Sequence, residues 1–133
     1  MTNDDRLRDC LKQYVRGALS RDELEGCLES RARFRFWDTN ERSLENSVRL
    51  PKIVFSREDV DRQLKRFLNH QMTADQLSDW AGILRLLDCF DVDEPDPSSS
   101  AVWDLIDELV SPDVWGAITV DSVIDLRRRL AVA

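Results

Sequence analysis

The chain has 133 residues, of which 42% are hydrophobic and 34% are charged, and its formal net charge is −7 at pH 7. This balance excludes a disordered chain, and the length predicts a single folded domain. No apolar run approaches the roughly 20 residues that a membrane span needs, and the first residues lack the basic and apolar regions of a secretory signal. We therefore expect a cytoplasmic protein. Four Gly and four Pro leave little room for a turn-rich all-β fold.

The first two thirds of the chain contain a repeat. Residues 11–30 and 64–83 align without a gap at an offset of 53 residues. The identical pairs are Leu11/Leu64, Lys12/Lys65, Asp22/Asp75 and Leu24/Leu77. Apolar residues recur at helical spacing in both copies, as Leu7, Leu11, Tyr14 and Val15 and as Val60, Leu64, Phe67 and Leu68. We predict that each copy is a helical hairpin, over residues 5–31 and 57–88.

The second helix of each predicted hairpin begins with the same two signals. Ser20 is followed three residues later by Glu23, and Thr73 is followed by Gln76, which is the spacing of a capping box. The apolar pairs with the spacing of a hydrophobic staple are Leu19/Leu24 and Met72/Leu77. Because two independent signals agree in both copies, these are the best determined helix starts in the sequence.

Residues 32–56 connect the two hairpins, and we predict an ordered but irregular connector at about 33–55. Pro51 excludes a continuous helix there. Residues 33–37 alternate arginine with aromatic side chains, and they either extend the preceding helix or form a short extended piece. The favoured interpretation of this cluster is aromatic rings in the core with arginines reaching outward, while a partner-binding cluster is the alternative. Ser56 then caps the next helix.

Residues 89–131 follow the hairpins and are predicted to hold an acidic linker and two helices. The linker, 89–100, contains two prolines and no helix signal. Ser99 or Ser100 caps the first of the two helices, and Thr119 caps the last. The residues predicted to face inward are Val102, Leu105, Ile106, Leu109, Val123, Ile124, Leu126 and Leu130.

Pro112 and Gly116 bracket a predicted loop between these two helices. The complete pattern predicts an all-α fold. We expect one single-domain bundle of about six helices, built on the duplicated helical hairpin and interrupted by the irregular connector.

The negative charge is concentrated in residues 88–126, which contain eleven acidic residues and no Lys or Arg. Such an asymmetry creates a directed negative field that attracts basic partners and raises association rates. Solubility is an equally weighted explanation. However, Trp103 and Trp115 lie inside the window, and aromatic residues within a charged rim are typical of interface hot spots. The predicted partner-binding residues are Asp91, Asp93, Glu94, Asp96, Asp104, Asp107, Glu108, Asp113 and Trp115.

Few features of the chain indicate catalysis. Its single histidine, His70, aligns with Gly17 at the predicted hairpin turn, where we interpret it as a turn residue with an unusual backbone angle. No nucleotide-binding glycine motif and no calcium-loop pattern occur. A cation-binding or acid–base role for Asp104, Asp107 and Glu108 is the competing enzyme hypothesis, but a solvated helix face is the commoner reason for their spacing. We predict no catalytic residue, no cofactor and no metal.

Two segments resemble a bacterial family of small helical proteins. They are QLKRFLNHQMTADQLSDWAGIL (63–84) and IDELVSPDVWGAITVDSVIDLRRRL (106–130). The family pattern has an LxxYLxGxLSxEExSDWA segment, an acidic linker, a helix ending in ELxNPxxxGxLT and a terminal helix. Its members are associated with immunity to contact-dependent growth inhibition and related polymorphic toxins, and residues 11–25 also resemble the hairpin of colicin-D-type immunity proteins. Here His70 replaces the turn glycine, and LVSP at 109–112 replaces the small-Asn-Pro sequence.

The resemblance implies a non-enzymatic immunity protein that binds the C-terminal domain of a cognate toxin. Many such toxins are nucleases with basic clefts, which an acidic surface matches in charge. The negative charge disfavours direct contact with nucleic acid, and the lack of a long apolar run predicts no membrane span. The alternatives are a nucleic-acid-mimicking inhibitor that acts in anti-defence or regulation, and a helical adaptor domain.

Overall fold

The computed structural model describes residues 3–28, 34–36, 42–44, 52–87 and 89–133. Seven helices lie in these ranges: α1 Asn3–Val15, α2 Arg21–Leu28, α3 Arg57–Leu68, α4 Ala74–Leu87, α5 Ser98–Val110, α6 Pro112–Trp115 and α7 Val120–Val132. Four three-residue strands accompany them: β1 Phe34–Phe36, β2 Arg42–Leu44, β3 Ile53–Phe55 and β4 Phe90–Val92. Helices make up most of the described residues, which confirms the all-α prediction; six longer helices and the one-turn α6 make up the bundle.

Both hairpins begin their second helices as predicted. The backbone N–H of Glu23 donates to Ser20 Oγ over 3.1 Å, and the backbone N–H of Ser20 donates to Glu23 Oε1 over 3.2 Å. Thr73 and Gln76 exchange the same two bonds at 3.1 and 2.8 Å. Each capping box satisfies backbone N–H groups that the first turn of a helix otherwise leaves without a partner.

The turns of the two hairpins share an unusual backbone conformation. Gly17 has φ of +81° and His70 has φ of +60°, so the aligned residues both occupy the left-handed region. A Cβ at Gly17 would overlap the ends of the Gln63 and Arg66 side chains, which would have to move. This close approach joins the turn of the first hairpin to α3 of the second.

The hydrophobic core runs through both hairpins and the C-terminal helices. Eight of the fourteen residues of α4 are buried, and α4 packs against α3, α5 and β4. The predicted inward faces are confirmed by the burial of Leu7, Leu11, Tyr14, Val15, Val60, Leu64, Val102, Leu105, Ile106, Leu109, Val123, Leu126 and Leu130. The indole N–H of Trp80 in α4 donates to the carbonyl oxygen of Tyr14 over 3.3 Å, which ties the hairpins together in the core.

Parts of the connector and of the acidic linker are extended. β3 pairs in parallel with β4, with Ile53 opposite Phe90 and Phe55 opposite Val92. These four side chains are buried, and the central residue of each strand is exposed. Burial of alternate side chains on one face therefore stabilises the pairing of two separate segments. The backbone of residues 34–36 pairs antiparallel with β2, whereas positions 29–33, 37 and 88 lie outside the described residues.

Three details of the C-terminal helices differ from the prediction. α5 begins at Ser98, and the hydroxyls of Ser99 and Ser100 donate to the carboxylate of Asp96 instead of capping the helix. The predicted loop after Pro112 is a one-turn helix, α6. Ile124 was expected to face inward but is exposed, because it lies about 100° around α7 from Val123 and outside the buried stripe. The predicted cap of α7 by Thr119 is confirmed.

Candidate protein-binding surface

Four of the nine predicted partner-binding residues form ion pairs with basic residues of other elements. We call Asp91, Glu94, Asp107 and Glu108 the paired carboxylates; their partners are Lys52, Arg57, Arg85 and Arg129. None of these basic residues lies within 88–126, so the sequence window that lacks Lys and Arg receives cations from elsewhere in the fold. The outward negative field of the window is therefore smaller than its charge count predicts.

Arg57 and Glu94 form the most extensive of these contacts. Arg57 donates from Nε and Nη2 to the two carboxylate oxygens of Glu94 over 2.6 and 2.7 Å. It also donates to the carbonyl oxygens of Leu130 and Ala133 over 2.9 and 2.7 Å. The hydrogen bond from Arg57 holds the pKa of Glu94 below its ordinary value. One guanidinium thus joins the start of α3, the acidic linker and the end of α7.

Asp107 binds the second arginine in the same bidentate manner. Arg85 of α4 donates from Nε and Nη2 to the two carboxylate oxygens of Asp107, both over 2.6 Å. The same guanidinium lies 4.3 Å from the ring centroid of Trp103, and Trp103 packs edge-on against Phe55 at 5.4 Å. Trp103 is therefore a packing residue between α4, α5 and β3.

Arginines near the end of the chain attach α7 to its neighbours. Arg129 donates to both carboxylate oxygens of Glu108 in α5 over 2.7 and 2.8 Å, and it lies 3.0 Å from Asp125. Arg127 donates to Asp61 in α3 over 2.7 Å. Burial opposes the ionisation of Asp61, but hydrogen bonds from Arg127 and Lys65 outweigh it and lower its pKa. Through these contacts the arginines of α7 join that helix to α5 and α3.

The remaining predicted residues have other surroundings. Asp96 accepts hydrogen bonds from Ser99 and Ser100, which lower its pKa, so it organises the start of α5. Asp93 and Asp104 are exposed and form no ion pair with any residue that the structure describes. Asp104 lies on the side of α5 opposite the buried residues.

Exposed apolar side chains cluster where α6 leads into α7. Of the six large hydrophobic residues that are exposed in the described ranges, four lie between positions 114 and 124: Val114 (76%), Trp115 (62%), Val120 (49%) and Ile124 (45%). Asp113, Asp121 and Asp125 accompany them, and the segment contains no Lys or Arg. We call these seven residues the 113–125 surface. The sequence-based prediction named Asp113 and Trp115 of this surface but not Val114 or Val120. It assigned Ile124 to the core because of its helical spacing.

A groove adjoins this surface at the turn of the second hairpin. It has a volume of about 380 Å³ and is lined by Phe67, His70, Gln71, Met72, Thr73, Gln76 and Val120. We call it the turn groove. Phe67 and Met72 are partly buried against the core. Val120, the first residue of α7, also lines the groove. The duplicated hairpin and the C-terminal helices thus share one depression.

A second cleft, of about 460 Å³, lies between the turns of the two hairpins. Arg21 donates to Asp79 across it over 3.3 Å. Arg66 donates to the carbonyl oxygen of Gly17 and to Gln63 Oε1, both over 3.1 Å. Because its charged groups contact one another, we interpret this cleft as the joint between the hairpins.

The described residues show no arrangement typical of a metal centre or a membrane span. No three His, Cys, Asp or Glu side chains converge there as metal ligands do. No helix in the same residues is long and apolar enough to cross a bilayer. Burial raises the pKa of the Cys10 thiol to about 11, helped by a hydrogen bond with Cys27, so this thiol is protonated at neutral pH and is a weak nucleophile.

Comparisons with protein-family models, with curated proteins and with solved structures found no match. The resemblance of 63–84 and 106–130 to immunity proteins therefore stays a prediction from those residues. Function is argued below from the surface itself.

Proposed function

We propose that this chain is an immunity protein, which binds and neutralises a basic toxin domain through the acidic surface of its C-terminal helices. The observation that carries the proposal is Trp115. It is 62% exposed on a one-turn helix, beside the still more exposed Val114, in a segment whose only charged residues are acidic. Exposed apolar groups with a polar rim are typical of protein interaction sites.

The exposed tryptophan supplies the affinity. A tryptophan side chain buries about 150–250 Å² when it is covered, and apolar burial stabilises by about 25 cal/mol per Å². Covering the exposed part of Trp115 is thus worth roughly 2–4 kcal/mol, which is the range of an interface hot spot. The fold itself gains little from this side chain, since α6 has no buried residue.

The acidic residues select the partner. Asp113 and Asp121 flank the apolar side chains, and Asp104 is an additional exposed carboxylate on α5. A negative surface attracts a basic protein, raises the association rate and disfavours acidic partners. A nuclease-type toxin has a basic substrate cleft, and an inhibitor needs only to cover that cleft. No catalytic group is required of the inhibitor.

The proposal is tested by co-expression with the toxin domain that the neighbouring reading frame encodes. We expect cells to survive only when this chain is present, and we expect the two proteins to purify as a complex whose affinity falls with added salt. Cell death in the presence of this chain, with no complex in pull-down, would exclude immunity. Protection without a complex would favour a regulatory inhibitor that acts on another target.

A further inference from the structure

We propose that the turn groove receives an apolar side chain of the partner, flanked there by basic residues, so that the second hairpin is part of the interface. This inference rests on the proposed function and deepens it, because it identifies the chemistry of the docking segment. The partner segment is an amphipathic helix or loop with a Leu, Met or Phe between lysines or arginines. Helix-in-groove docking of this kind is a recurrent mode of protein recognition.

The shape of the groove supports an apolar occupant. Phe67 and Met72 line it and are packed against the core, and Val120 lines it while remaining 49% exposed. Ile124 follows Val120 by one helical turn and is exposed on the same side of α7. Val120 and Ile124 belong to the 113–125 surface, so a partner side chain that fills the groove also covers part of the surface that contains Trp115.

The charges around the groove support a basic segment. None of its lining residues is Lys, Arg, Asp or Glu, which suits an apolar side chain in the centre. Asp75 follows the lining residue Thr73 by two positions, and Asp121 follows Val120 directly; both are exposed. Carboxylates that neighbour lining residues of an apolar depression favour an occupant with cations beside its apolar side chain. Arg66 precedes the lining residue Phe67, but its guanidinium donates to Gly17 and Gln63 in the cleft between the hairpins.

The same charges disfavour a second copy of this chain as the occupant. A symmetric dimer through the start of α7 brings the same patch of each subunit together, which places Asp121 near its own copy. Like charges at an interface cost binding energy. A basic partner covers the apolar residues without that repulsion.

The direct test uses two synthetic helical peptides as probes, one with leucines at i, i+3, i+4 and i+7 and lysines elsewhere, and one with glutamates in place of the lysines. We expect the lysine peptide to shift the methyl resonances of Met72 and Val120 in NMR spectra and the glutamate peptide to leave them unchanged. Val120→Lys is expected to weaken binding of the lysine peptide at least tenfold. Val132→Lys is the matched control, since Val132 is an exposed valine of the same helix outside the groove.

The outcomes separate this inference from the proposed function. Equal binding of both peptides, or equal losses in Val120→Lys and Val132→Lys, would overturn the groove assignment. If the toxin domain binds the wild type and Val120→Lys equally well, immunity stands and the groove inference fails. If the toxin domain does not bind but the lysine peptide occupies the groove, the immunity proposal fails and the groove inference stands. A dimer that Val120→Lys dissociates, measured by light scattering, would assign the groove to a second copy and overturn the proposal.

Discussion

The acidic residues of the C-terminal part occupy two regions that differ in their surroundings. The paired carboxylates, Asp91, Glu94, Asp107 and Glu108, form ion pairs with a lysine just before β3 and with arginines of α3, α4 and α7. The 113–125 surface combines carboxylates, of which Asp125 contacts Arg129 of its own helix, with four exposed apolar side chains. In the first region the carboxylates form ion pairs that join elements of the bundle. In the second region carboxylates lie beside exposed apolar side chains that a partner can bury.

The difference teaches that a charge count along a sequence mixes two roles. The arginines that neutralise Glu94, Asp107 and Glu108 are 37, 22 and 21 residues away, which no local window detects. The sequence-based hypothesis treated all acidic residues of 88–126 as one surface. The fold divides them, and each role has its own experimental signature.

The largest expected effect is on binding. Trp115→Ala should weaken toxin binding by about 2–4 kcal/mol, which is a ~30-fold or greater loss of affinity. The free energy of unfolding should change by less than about 0.5 kcal/mol, because the side chain is mostly exposed. Titration calorimetry and thermal unfolding measure the two quantities. Val132→Ala is the control, because Val132 is an exposed apolar residue outside the 113–125 surface. An affinity loss of the same size in that variant would contradict a specific role for Trp115.

The paired carboxylates are tested through Arg57→Met. This variant removes both bonds to Glu94 and both bonds to the end of α7, so we expect a lower midpoint of thermal unfolding with unchanged toxin affinity at temperatures where the variant is folded. Arg62→Met is the matched control on α3, because among the described residues Arg62 forms an ion pair only with Asp59, one turn away in the same helix. A large affinity loss in folded Arg57→Met would mean that the pair belongs to the interface.

The same region predicts acid sensitivity. Arg57 lowers the pKa of Glu94 from its ordinary 4.5, and hydrogen bonds from Ser99 and Ser100 lower that of Asp96 from 3.8. A carboxylate with a depressed pKa in the folded state contributes stability above its unfolded pKa, and this contribution is lost as the pH falls through the folded pKa. Denaturant unfolding should therefore show decreasing stability below about pH 4.5. Glu94→Gln should flatten this dependence, and an unchanged profile would contradict the role of the pair.

The smallest effect distinguishes two aspartates of one helix. Asp104→Asn and Asp107→Asn change the net charge equally, but only Asp107 binds Arg85. Asp104→Asn should slow association with the toxin roughly two- to threefold at low salt and leave stability unchanged. Asp107→Asn should lower stability by less than about 1 kcal/mol, because the pair is largely exposed. Stopped-flow measurements give the association rates of the two variants, and urea unfolding gives their stabilities. Slower association in Asp107→Asn and lower stability in Asp104→Asn would contradict the assignment.

Local signals predicted the hairpins because each signal involves neighbours in sequence. The capping boxes at Ser20 and Thr73 and the turn at Gly17 depend on contacts within a few residues. The pairing of β3 with β4 was not predicted, since it joins segments 37 positions apart through the burial of alternate side chains. Trp115 was predicted correctly as a surface residue, because a loop-like Pro112–Gly116 signal does not bury a side chain.

Ile124 shows the limit of periodicity in this chain. Three apolar positions in α7 form the buried stripe, and a fourth at helical spacing falls outside it. Periodicity identifies which residues can share a face, but the packing of α3 and α5 against α7 decides which of them are covered. For this reason the sequence assigned Ile124 to the core, although it belongs to the 113–125 surface.

The most direct test of the division between the two regions is a titration of the isotopically labelled protein with the toxin domain, followed by NMR. The account predicts that the indole N–H of Trp115 and the methyl groups of Val114, Val120 and Ile124 shift on binding, while the backbone resonances of β4 remain unchanged. A shift confined to β4 and the solvent face of α5, with Trp115 unaffected, would contradict it and return the interface to the paired carboxylates.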